Sequence, residues 1–130
     1  MHKSRLGTIV IDCQTQDLDA AAAFWAAALG RPAQRLQSEA GDQYRALEGP
    51  PEEVTMLVQS VQHPSRVHID IETDDIEAEV RRLEALGARR IAQVKRRWVM
   101  EAPTGQRFCV VRPQRPDFGE NANAWPSKEP

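Results

Sequence analysis

A chain of 130 residues, 41% apolar and 28% charged, has the size and composition of one folded domain and excludes wholesale disorder. The net charge of −2 gives no general attraction to nucleic acid or anionic membrane, and no apolar run is long enough to cross a bilayer. The N-terminal apolar run, Ile9 to Ile11, is too short for a secretory signal, and Cys13 and Cys109 lack metal-type spacing, so a cytoplasmic protein with reduced thiols is expected.

The first predicted element is a strand from Leu6 to Cys13, with Ile9, Ile11 and Cys13 on its apolar face. Asp17 is placed to cap a helix whose apolar stripe is Leu18, Ala22, Trp25 and Leu29, and Gly30 with Pro32 ends it. Three short strands follow, at Ala33–Ser38, Gln43–Leu47 and Val54–Val61, broken by "EAGD" and "EGPPEE". The joint "HPS", His63 to Ser65, leads into "RVHIDIETDD". There, period-two alternation puts Val67, Ile69 and Ile71 on a face suited to a core, and His68, Asp70 and Glu72 on the other. Asp74 and Glu77 make a capping-box pattern before a second helix, with stripe Ile76, Val80, Leu83 and Leu86 and a stop at Gly87. Strands are again expected at Arg89–Val94, Arg97–Glu101 and Arg107–Arg112, with Lys95 to Arg97 in a solvated basic hairpin and "APTG" as a turn. The tail from Pro113 is rich in Pro, Asn and Glu, with Phe118 and Trp125 as possible anchors.

The two halves repeat each other. Laid together, Asp12 meets Asp70, Thr15 meets Thr73, Asp17 meets Asp75 and Leu18 meets Ile76, and one deletion brings Gly30 onto Gly87. The expected architecture is α+β: two tandem βαβββ modules, at about 5–62 and 66–112, in a single domain over 1–112, followed by an extended tail over 113–130. Helices would cover one face of a curved mixed sheet, whose other face would form a concave cleft.

The duplicated pattern, with "DLDAAAAFWAAALG", "HIDI", "RRLEALGA" and "WVMEAPTGQRFCVV", resembles the vicinal oxygen chelate superfamily over residues 5 to 112. That superfamily includes glyoxalase I, bleomycin-resistance proteins and extradiol dioxygenases, and the nearest likeness is to its glyoxalase-like subgroup. The resemblance implies a homodimer and a small organic ligand. In metal-dependent relatives, four strands supply His or Gln, Glu, His and Glu to a divalent ion. Carried onto this sequence, those positions fall on Val10, Gln59, His68 and Cys109, of which only His68 is a strong match. A conventional metal site and a cofactor are therefore not expected, and any divalent ion would rest on His68 and Gln59.

The site residues expected on the cleft face are His68, Gln59, Asp12, Asp70 and Cys109. Trp98 and Met100 join them as a surface for a flat or apolar ligand, a pair equally consistent with plain core. His68 is the expected acid, base or hydrogen-bond donor. The leading function is small-molecule binding. The alternatives are a metal-dependent lyase, isomerase or dioxygenase, and a dimeric interaction module without a ligand.

Overall fold

A computed structural model describes residues 1–37 and 39–126; Ser38, at the end of an expected strand, and the last four residues of the expected tail lie outside that range. The fold is mixed α+β. Its strands are β1 (His2–Gln14), β2 (Ala33–Arg35), β3 (Tyr44–Leu47), β4 (Thr55–Val61), β5 (Arg66–Thr73), β6 (Arg89–Val94), β7 (Arg97–Glu101), β8 (Arg107–Val111) and β9 (Asn123–Trp125). Its helices are α1 (Leu18–Leu29), α2 (Ile76–Ala85) and the short α3 (Phe118–Asn121). Hydrogen bonding orders the sheet β2-β3-β4-β1-β5-β8-β7-β6, with β9 paired to β1. The chain divides into two compact units, Thr8–His68 and Met1–Gly7 with Ile69–Pro130. The divisions fall inside β1 and β5, so the opening residues and the tail belong with the second half of the chain.

In the Thr8–His68 unit, α1 lays Leu18 and Ala22 on Leu47 of β3 and Val58 of β4, with Cys13, Trp25 and Met56 around them. Each enclosed aliphatic side chain contributes roughly 1.5–3 kcal/mol. The helix starts where Asp17 accepts the Ala20 N–H (3.0 Å) and stops at Gly30, whose φ of +67° suits a residue without Cβ. Strand β1 runs parallel to β4, with Ile11 beside Val58 and Asp12 beside Gln59.

The second unit repeats the design. Val80 and Leu83 of α2 pack on Met100, Phe108 and Val110. Strand β5 runs parallel to β8, with Asp70 beside Cys109. The repeat extends to the helix starts: the Thr15 hydroxyl accepts the Asp17 N–H at 2.9 Å and the Thr73 hydroxyl accepts that of Asp75 at 3.2 Å. Asp75, rather than Asp74, is therefore the second cap, accepting from the Ala78 N–H at 3.0 Å, while Asp74 accepts from the Lys3 N–H.

Two expectations are corrected. Trp98 and Met100 do not share the face of Asp70 and Cys109. They pair with Val110 and Phe108, so alternation turns them into the core beneath α2, and Arg90 covers the Trp98 ring. On β5 only Ile71 packs into a core, whereas Val67 is 60% exposed and Ile69 40% exposed. The polar row is the more enclosed one: Glu72 is fully buried and His68 is partly buried.

Among the described residues the second unit holds two buried carboxylates, Glu72 and Glu79. Glu72 takes the Arg5 Nε–H at 2.6 Å and the Gln114 backbone N–H at 2.8 Å, which ties the tail to β5. Gly7 makes this possible, since a Cβ there would stand 3.0 Å from Glu72 Cγ. Glu79 on α2 is fully buried. Its oxygens take both prongs of the Arg82 guanidinium (2.9 and 2.8 Å), and one lies 2.8 Å from His2 Nε2. Arg82 stacks on Trp125, whose indole N–H donates to Ser4 at 2.8 Å, so β9 and β1 close over the same group. Phe118 is buried too, so both expected anchors of the tail are in place.

Burial alone would raise the Glu79 carboxyl, but hydrogen bonds from Arg82, His2 and Ser4 outweigh it and hold the group below the usual carboxylate range. A carboxyl lowered on folding contributes fully above its unfolded value of about 4.3, and the contribution fades as pH falls through the lower folded value. Glu79→Gln is therefore expected to cost about 3 kcal/mol at about pH 7 in urea denaturation, and the gap from the unmodified protein should narrow toward about pH 3.

Candidate functional site

The site is built on the face of the Thr8–His68 unit that points away from α1. Along β1, Ile9, Ile11 and Cys13 turn toward the helix, so Val10 and Asp12 turn the other way. Gln59 of β4 stands beside Asp12, and Tyr44 of β3 stands beside Gln59. Directly opposed residues in a ladder share a face. Tyr44, Gln59 and Asp12 thus form one lateral row, and His68 from β5 completes it with Nδ1 at 2.8 Å from Asp12 Oδ2.

Asp12 is 2% exposed, so its charge must be answered locally. Three cationic or protonatable groups approach the one oxygen: His68 Nδ1 at 2.8 Å, Arg66 Nε at 3.5 Å and His63 Nε2 at 3.9 Å. The first is a good hydrogen bond and the other two are longer ion-pair contacts. The second oxygen, Oδ1, is enclosed without a hydrogen-bond partner among the described residues.

A carboxylate only accepts, so His68 Nδ1 carries the hydrogen of that bond. The neutral ring then has its lone pair on Nε2, fixed in direction by Asp12. This is the orienter-and-base relation that lets a histidine take a proton or, once protonated, donate one. His63 differs: its Nδ1 donates to the Pro64 carbonyl at 2.8 Å, and its ring is open to solvent. Its Nε2 is attracted to Asp12 in the imidazolium form.

Of the residues expected from the sequence, Asp12, Gln59 and His68 come together in this row. Asp70 and Cys109 form a register pair in the second unit, and Trp98 and Met100 lie in its core. Tyr44, Arg66 and His63 were missed. His63 and Arg66 flank the joint at Pro64 and Ser65 and carried a signal there, whereas Tyr44 is brought into line only by the β3–β4 register.

Comparison with known proteins gives a direct result: the glyoxalase-like domain family matches residues 8–111. The chain belongs to that family. No curated protein matches it. Among solved structures, methylmalonyl-CoA epimerase from Mycobacterium tuberculosis superposes with a TM-score of 0.61 at 16% identity, covering 85% of this chain and 88% of that one. A hypothetical protein from Bacillus halodurans C-125 gives 0.60 at 11% identity, covering 86% and 96%. A glyoxalase/bleomycin resistance protein/dioxygenase superfamily member from Vibrio splendidus 12B01 gives 0.53 at 18% identity, covering 82% and 98%. These likenesses establish the vicinal oxygen chelate fold for this glyoxalase-like domain. Among the described residues no helix is long and apolar enough to cross a membrane.

Members of the superfamily often use a divalent metal, but the donors of this glyoxalase-like domain do not fit the four-ligand arrangement. At the first position Val10 is 1% exposed and carries only an isopropyl group. At the fourth, Cys109 offers a thiol where a carboxylate would suit a hard ion. Of those four positions, Gln59 and His68 keep donor atoms that suit such an ion.

The Asp12–His68 contact is testable by a double-mutant cycle. Asp12→Ala and His68→Ala are expected to be non-additive by about 1–3 kcal/mol in urea denaturation, because each single change removes the same buried hydrogen bond.

Proposed function

We propose that this glyoxalase-like domain binds a small organic molecule over the row Tyr44, Gln59, Asp12 and His68, with His68 as its central polar contact. The observation that carries the reading is the 2.8 Å bond from His68 Nδ1 to the buried Asp12, which fixes the ring's orientation and tautomer. A histidine held this way is pre-organised to meet a ligand carbonyl or hydroxyl without losing side-chain freedom on binding. Gln59 and Tyr44 add an amide and a phenol on the same face. The fold also hosts enzymes, methylmalonyl-CoA epimerases among them, and the same site supports proton transfer at His68 if a bound ligand presents an acidic C–H or O–H to Nε2. Fold likeness alone does not choose between binding and catalysis.

A second reading is a lyase, isomerase or dioxygenase using a divalent ion held through Gln59 and His68. It is favoured by donor side chains at these two of the four positions and opposed by Val10 and Cys109.

A thermal-shift screen of metabolites and antibiotics, run with chelator and then with Ni, Zn, Mn or Fe(II), separates the two. The binding reading predicts a stabilising ligand in chelator, with affinity reduced about tenfold or more by His68→Ala. Stabilisation that requires a metal ion, with stoichiometric metal uptake abolished by His68→Ala, would contradict it in favour of the enzyme.

A further inference from the structure

The guanidinium of Arg66 is held at one end only. Its Nε lies 3.5 Å from Asp12 Oδ2, and its two terminal nitrogens make no hydrogen bond among the described residues. The side chain is 44% exposed, so it is open to a ligand arriving from solvent. His63 stands at the same oxygen from the other side of the joint, 41% exposed and 3.9 Å away. Asp12 thus gathers more positive and protonatable groups than one carboxylate can answer. Its other oxygen, Oδ1, is enclosed without a hydrogen-bond partner among the described residues.

We propose that Arg66, with His63 beside it, forms an oxyanion subsite next to His68, which takes the carboxylate or phosphate of the small organic ligand. This rests on the binding reading above and adds the charge class of what binds. The chemistry is that of a pre-positioned fork. A guanidinium drawn to Asp12 through Nε presents its terminal N–H groups to two oxygens of a carboxylate or phosphate, and two charge-assisted hydrogen bonds result. Asp12 sets the direction of the His68 ring and draws the Arg66 guanidinium to its side. A ligand whose anion sits on Arg66 is thereby brought up to His68.

The test is an NMR titration that follows the Arg66 Nε–H and the His63 and His68 ring signals at constant ionic strength. The probes are lactate, its neutral analogue lactamide, and inorganic phosphate. Such small probes bind weakly, so the range extends to about 100 mM. Saturable shifts of the Arg66 Nε–H with lactate, with phosphate or with both are expected, and the preferred anion identifies the group. Arg66→Gln is expected to weaken that binding about tenfold or more, and Arg66→Lys to restore only part of it. Lactamide shifting His68 as strongly as lactate, or Arg66→Gln leaving anion affinity unchanged, would overturn the oxyanion subsite while leaving small-molecule binding intact. No saturable shift with either anion would also overturn it, and the ligand screen would still decide the broader reading.

Discussion

A carboxylate enclosed on a β-strand has to be answered by donors, and in the Thr8–His68 unit that demand organises the site. Asp12 is 2% exposed, and its Oδ2 draws His68, Arg66 and His63 toward one point. The acid itself is too enclosed to be the main contact for a ligand. Its effect is to decide which nitrogen of His68 carries the hydrogen and to draw the Arg66 guanidinium to the same side. Without it, His68 would lose the acceptor that holds the hydrogen on Nδ1, and Arg66 would be an ordinary solvated side chain.

The same rule shapes the second unit with a different outcome. Glu72 and Glu79 are fully buried, and both are closed off by arginines and by the ends of the chain. Arg5 and the Gln114 backbone hold Glu72, while Arg82, His2 and the Trp125 stack surround Glu79. These carboxylates fasten the N-terminus and tail onto the repeat, which is why residues 1–7 and the tail belong with the second half. The contrast within one chain is chemical. Glu79 has donors on both oxygens, whereas Asp12 keeps one oxygen without a partner among the described residues.

Much of this was legible in the sequence because it depends on local rules. The paired Thr and Asp before each helix, the stops at Gly30 and Gly87 and the period-two strands report backbone needs that neighbours in sequence satisfy. The duplication then implied the arrangement, and the resemblance named the family. What escaped was whatever depends on register or on distant chain. Trp98 and Met100 alternate correctly with Val99, but only their pairing with Val110 and Phe108 says which face is covered by α2. Val67 and Ile69 have the pattern of core residues yet remain exposed, while the polar face of the same strand is the more enclosed. Tyr44 joins the site through a β-ladder that a single sequence does not specify. His68 and Asp12 were each visible as candidates, and their bond was not, since the two stand on separate strands.

The account therefore turns on the state of one ring. Nitrogen-15 NMR of His68, assigned with the His68→Ala variant, reads the tautomer directly. At a pH where the ring is neutral, the expected result is a hydrogen on Nδ1, shifting toward the Nε2–H form in Asp12→Ala as the carboxylate that fixes it is lost. A His68 ring with its hydrogen on Nε2 in the unmodified protein, unchanged by Asp12→Ala, would contradict the claim that Asp12 organises the site.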